Sequence, residues 1–198
     1  SIDFDYFIDV SARQRDLYFP DGTEAIPKER LSAMWDARYA RFPRLRKIGV
    51  IGEYYFLKSY LMSANVKKDS IHIADSHKSI REIIEAIPKS LPIRIVNIDF
   101  HHDYYHYYTD GEYYNCGNWL RRVIEERPET QVKWIRRKDS QTLSLEGEFP
   151  FEHTTDIQSV TGEKFDYIFL CRSPEWSPPH LSGKFKELIW FFSHDIPA

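Results

Sequence analysis

Two short clusters of carboxylate and imidazole stand out in the chain, Asp3-Phe4-Asp5 and Asp99-Phe100-His101-His102-Asp103. A further histidine, His77, follows the apolar run Ile71-His72-Ile73-Ala74. Along an extended strand the side chains at i and i+2 share a face. Asp3 can therefore converge with Asp5, and Asp99 with His101 and Asp103. Four carboxylates gathered at one point repel one another unless a counter-charge lies among them. Two divalent cations cancel four negative charges. Four Asp with two His suit a hard-to-borderline ion such as Mn²⁺ better than a thiolate-seeking one. Two such ions roughly 3.5–4 Å apart acidify a shared water for hydrolysis. The expectation is a two-metal hydrolase centre with Asp3, Asp5, His77, Asp99, His101 and Asp103 as ligands.

These motifs differ in weight. A lone Asp-X-Asp is common in loops and caps. Asp-X-His-X-Asp directly after a β-branched apolar run is more specific, and the two together with a histidine behind a third strand are hard to explain as structure alone. The remaining histidines have plainer readings. His72 packs within its strand, and His153, His180 and His194 belong to the surface.

Elements are needed to aim these residues at one place. Ile2 to Ile8 alternates acidic and apolar positions and reads as a strand; Ser1 opens directly into it, so a few residues are expected before it. The polar stretch with Pro20, Asp21 and Gly22 reads as a loop. Pro27 opens a helix on which Leu31, Trp35, Tyr39 and Phe42 recur at helical spacing. Further helices are expected over Gly52 to Met62, Lys78 to Ile87, Gly117 to Glu126 and Phe185 to Phe192. Strands are expected at Ile71 to Ala74, Ile93 to Ile98, Val132 to Ile135 and Asp166 to Cys171. Residues 139–163 carry no strong period. Strands alternating with helices predict an α/β fold, a three-layer α/β/α sandwich on a mainly parallel sheet. Ligands of open α/β sheets bind beyond the C-terminal ends of the strands, where each motif falls.

Composition fits one globular domain spanning residues 1–198, with 42% hydrophobic and 29% charged residues. A formal net charge of −3 asks for no nucleic-acid partner. The runs Arg121-Arg122 and Arg136-Arg137-Lys138 read as solvated faces. Cys116 and Cys171 form neither a Cys-X-X-Cys pair nor a disulfide framework. With no signal peptide and no membrane-length apolar stretch, the expected compartment is the cytoplasm.

On these residues the chain resembles the arginase and agmatinase family of binuclear manganese ureohydrolases. Ser1-Ile2-Asp3-Phe4-Asp5 is similar to the family's SxDxD motif and Asp99 to Asp103 to its DxHxD motif. Ala74-Asp75-Ser76-His77 is a loose counterpart of its GGDHS-like segment. The resemblance implies two Mn²⁺ ions, one held by His77, Asp99, Asp103 and Asp3, the other by His101, Asp99, Asp3 and Asp5, with Asp99 and Asp3 bridging. The order is permuted, because the SxDxD-like segment comes first here and late in typical arginases. The chain is also shorter than theirs. Cys116-Gly117-Asn118-Trp119-Leu120-Arg121 resembles the segment whose histidine shuttles protons, yet lacks that histidine, which leaves His102 or His106 to serve. Glu175, in Arg172-Ser173-Pro174-Glu175-Trp176, stands for the carboxylate that holds the substrate guanidinium.

The short, permuted pattern is similar to the small arginase-like family that contains peptide arginases. Those enzymes convert arginine side chains of ribosomally made precursor peptides to ornithine and release urea. A precursor peptide is the implied partner. The run Tyr104-Tyr105-His106-Tyr107-Tyr108, with Tyr113, Tyr114 and Trp119, reads equally as an aromatic mouth for an extended chain and as packing under a loop. Competing functions are a free-guanidine ureohydrolase or amide deacetylase on the same fold, a guanidine-modifying enzyme using Cys116 or Cys171, and a peptide-binding module with a structural metal.

Overall fold

The computed structural model describes residues 1–19, 26–63, 68–105, 113–142 and 148–193. Six strands, β1 (Ile2–Asp3), β2 (Ile71–Ala74), β3 (Arg94–Ile98), β4 (Gln131–Ile135), β5 (Glu152–Thr154) and β6 (Ile168–Cys171), form one sheet in the order β2-β6-β1-β3-β4-β5. Every neighbouring pair is parallel. Parallel neighbours need long crossovers. These are built around α1 (Ala12–Tyr18), α2 (Lys28–Arg41), α3 (Gly52–Ser63), α4 (Ile80–Ala86) and α5 (Trp119–Glu126), and α6 (Ser182–Ser193) follows the last strand.

The central strands β3 and β6 are buried on both sides because both sides are covered. Val96, Ile98, Ile168 and Leu170 join Trp35 and Tyr39 of α2, Leu57 of α3 and Phe185 of α6 in one core. The alternate positions Ile95, Phe169 and Cys171 join Ile83 of α4 and Leu120 and Val123 of α5 in the other. Near-continuous hydrophobic strands are what a doubly covered parallel sheet requires. The fold is thus an α/β sandwich with helices on both faces. Among the described residues no helix is long and apolar enough to cross a membrane.

Two local expectations are corrected, and one stretch without a readable period gains an element. The first strand ends at Asp3, and Phe4–Phe7 is a 3-10 turn. Asp3 Oδ1 accepts the Asp5 backbone N–H at 3.0 Å, and this side-chain cap draws the backbone out of the sheet. The polar segment before residue 20 contains α1, fixed by a capping box between Ser11 and Gln14. The unreadable stretch from 139 to 163 holds β5, a three-residue edge strand with no apolar alternation. Residues 20–25 and 106–112 lie outside the described residues, and with them the Pro20-Asp21-Gly22 loop, His106 and most of the tyrosine run. His194 lies outside them too.

Candidate metal centre

β1 and β3 deliver their acidic clusters side by side, since Ile2 and Ile98 are register partners. His77 lies just beyond β2, which is not adjacent to β1 or β3. β6 lies between β2 and β1 and brings Cys171 and Ser173 to the same place. All six predicted ligands converge. His77 Nδ1 lies 3.1 Å from Asp99 Oδ2, 3.1 Å from Asp103 Oδ2 and 3.3 Å from Asp3 Oδ2. His101 Nδ1 lies 3.3 Å from Asp5 Oδ2 and 3.8 Å from Asp99 Oδ1.

The donor atoms fall into three overlapping sets: His77, Asp99 and Asp103; Asp5, Asp99 and His101; and Asp3, His77 and Cys171. Asp99 is common to the first two. Such buried clusters have the donors to hold a metal ion, and two observations test the fit. Cis ligands on an octahedral ion with bonds of about 2.1 Å stand roughly 3 Å apart, which is the spacing found around His77. Asp5 Oδ1 is buried without a hydrogen-bond partner, and Asp99 Oδ2 has only the His77 imidazole at 3.1 Å, a costly state for buried carboxylate oxygens.

A ring of supporting contacts fixes the ligands, as second-sphere groups do around metal sites. Ser1 Oγ is 2.5 Å from His77 Nε2, which leaves Nδ1 as the nitrogen for the cluster. Ser173 donates its hydroxyl to Asp3 Oδ2 at 2.6 Å, and Trp119 donates its indole N–H to Asp103 Oδ2 at 2.5 Å. The His77 ring is held between Trp119 and Phe169, with centroids 5.1 and 5.6 Å away. Asp103 and Ser173 are the two non-glycine residues with positive φ among the described residues, at 50° and 46°. Left-handed backbone at such residues stores about 1–3 kcal/mol and clusters at functional sites.

The charges are mutually perturbed. Burial, and then the neighbouring Asp103 carboxylate, push Asp99 up to about 7. Burial and then Asp5 push Asp3 up to about 6. Burial also works to raise Asp5, but the Arg15 guanidinium and His101 outweigh it and hold Asp5 down at about 2. Desolvation works to lower both ligand histidines. The carboxylates win in each case: His77 stands well above its usual range, and His101, beside Asp5, rises to about 9.

Arg15 escaped the sequence reading. Its Nη1 is 3.1 Å from Asp5 Oδ2, its Nη2 donates to the Asp5 carbonyl, and its guanidinium lies 3.9 Å from the Phe100 ring centroid. An amphipathic period would not have found it, because α1 buries only this one charged side chain. Ser173 and Trp119 were likewise missed as ligand supports.

Of the other predicted residues, the two that the structure describes sit outside the cluster, and His106 lies outside the described residues. His102 is buried against Tyr105, Phe149 and Trp134, and its Nδ1 accepts the Tyr104 N–H at 3.0 Å. Burial, and then the charge on His101, push it down to about 3, so its ring is neutral. Glu175 is buried two residues past Ser173, with Oε1 3.3 Å from the Ile26 nitrogen. The adjacent Trp176 ring is 6.3 Å from His101. Cys171 is buried, and its thiol is raised well above the ordinary range by burial and then by Asp3, a poor setting for a nucleophile. His101 is the one ligand with substantial exposure, its side chain 34% accessible. It opens onto a cleft of about 420 Å³ lined by Arg15, Asp16, Phe100, Tyr105, Asp139 and Trp176, among others.

No protein-family model, no curated protein and no solved structure matches this chain.

Proposed function

We propose that the chain is a two-metal hydrolase of the arginase type, acting on arginine side chains of a peptide to give ornithine and urea. The observation that carries this reading is the sharing of Asp99 between two donor sets at the C-terminal ends of parallel strands, with Asp5 Oδ1 unpartnered in the cluster. Its cofactors in this reading are two Mn²⁺ ions: a donor set of carboxylates and imidazoles, with Cys171 at its margin, favours that class of metal. When bound, such ions supply Lewis acidity, lowering the pKa of a water and offsetting charge that develops on the substrate.

The chain's own residues do the rest. Asp99 and Asp3 would serve both ions, His77 and Asp103 would complete the inner half, and Asp5 with His101 would form the other half, at which His101 opens onto the cleft. A peptidyl arginine enters past His101, where Asp16 and Asp139 favour a cation and Phe100, Tyr105 and Trp176 offer flat apolar walls. Glu175 orients the guanidinium by charge-assisted hydrogen bonds. His102 or His106 carries the proton to the departing ornithine amine.

The test is to incubate Mn²⁺-loaded protein with an arginine-containing peptide and, separately, with free arginine. Mass spectrometry reads the net loss of CH₂N₂ per arginine, and a urea assay reads the other product. Turnover of the peptide, abolished by EDTA, is expected. Metal binding without turnover of any guanidine would retire the arginase reading and leave amides to be tried.

A further inference from the structure

The two halves of the centre are not equivalent. Around His77 the carboxylates of Asp3, Asp99 and Asp103 meet imidazole, hydroxyl and indole groups, and among the described residues no Arg or Lys pairs with them. Around His101 the carboxylate of Asp5 already has a permanent cation. Arg15 and Asp5 are 5% and 1% exposed, so water does little to screen the pair. The guanidinium is also fixed in place. Phe100 stacks beneath it, the Asp5 carbonyl takes its second nitrogen, and α1 is pinned by its capping box and by the Ala12 N–H on Asp139 Oδ2 at 2.7 Å.

We propose that Arg15 makes the centre fill in order: a divalent cation enters the His77–Asp99–Asp103 half first, and the Arg15 guanidinium holds the His101–Asp5 half at lower affinity by engaging Asp5. This rests on the reading of the cluster as a cation centre. Charge bookkeeping points the same way. With both histidines neutral, as ligand imidazoles must be, four carboxylates against one guanidinium leave three negative charges, so the first divalent ion is drawn in by an excess of negative charge. The second enters a cluster with one negative charge left and must share Asp5 Oδ2 with Arg15. It is weakened rather than excluded, because Asp5 Oδ1 remains unpartnered.

The experiment is a Mn²⁺ titration of chelator-stripped full chain, with free ion followed by electron paramagnetic resonance and folding checked by circular dichroism. Wild type is expected to show two constants, the second at least tenfold weaker. Arg15→Met is expected to tighten the second constant at least tenfold and leave the first within about threefold. Asp5→Asn is expected to abolish the weak constant and keep the tight one. Two equal constants in wild type, or loss of the tight ion in Asp5→Asn, would overturn the order of filling. An unaltered second constant in folded Arg15→Met would overturn the role of Arg15. Should Arg15→Met not fold, the wild-type and Asp5→Asn titrations still decide the order, and Arg15→Gln replaces it to decide the role. A folded wild type that binds no Mn²⁺ would instead overturn the cation-centre reading itself.

Discussion

Asp99 follows the C-terminal end of β3, is 1% exposed and has His77 Nδ1 at 3.1 Å; Arg94 opens the same strand, has a side chain 53% accessible and grips Glu163 with hydrogen bonds of 2.6 and 2.7 Å. The contrast extends across the sheet. At the N-terminal ends lies a groove of about 540 Å³ whose apolar walls, among them Ile80, Ile83, Ile84, Leu91 and Phe169, are edged by charged side chains that include Arg94 and Glu163. At the C-terminal ends the carboxylates lie inside, and two backbone positions are held at positive φ. An exposed ion pair contributes about 0–1 kcal/mol. A buried cluster of like charges costs several kcal/mol unless something offsets it. One end of the sheet thus carries a solvated ion pair of small energetic weight, and the other gathers buried like charges with the donors to hold a cation.

The strongest way to break this contrast is Asp99→Ala, which removes the ligand common to both halves. Bound metal and activity should both fall to background by elemental analysis and urea assay. Retained metal would mean that the C-terminal end is not organised around Asp99. Next comes Glu175→Gln, expected to keep the metal and lose about a hundredfold or more in turnover, in the range of a lost charge-assisted contact in the transition state. Unchanged turnover would remove Glu175 from the site.

The pH dependence sharpens the contrast further. Asp99 and Asp3 are raised in the folded chain, from 3.8 to about 7 and about 6, so folding binds their protons. Their contribution is present at low pH and lost as pH rises from about 4 through 7. His101, raised to about 9, contributes below its ordinary 6.5 and loses that contribution as pH climbs to 9. Asp5, lowered to about 2, acts oppositely, but its contribution is complete above about pH 4. His102, lowered from 6.5 to about 3, opposes the raised carboxylates up to about pH 6.5, so metal-free protein should melt at falling temperature chiefly between pH 7 and 9. Mn²⁺ should reverse the slope, because a cation must displace those protons and binds more tightly as they leave. A metal-free melting temperature that rises over this range would refute the buried-charge account. The smallest effect belongs to the other end: Glu163→Gln should cost less than about 1 kcal/mol in urea denaturation and leave metal content untouched.

Much of this was legible in the sequence, and the exceptions have physical causes. The apolar runs of β3 and β6 announce doubly covered strands, and the six ligand types announce their chemistry. Asp3 and Asp5 do converge, but through a side-chain-capped turn rather than strand pleating. Such a cap is a local competition that no hydrophobic period records. β5 was hidden because an exposed edge strand needs no apolar side. Arg15 was hidden because its partner lies ten residues away across a turn, and its burial depends on Phe100, from a different strand end. The interposed β6 was hidden because strand order is decided by tertiary packing.

The contacts of Ser1 with His77 and of Ser173 with Asp3 join residues 76 and 170 positions apart along the chain. Both must close before the donor set exists, and long-range closures of parallel sheets come late and slowly in folding. A cation that recognises only the finished arrangement then acts as a latch on the topology itself. By mass action it lowers the population of partly open chains, and resistance to proteolysis should track metal occupancy well away from the site.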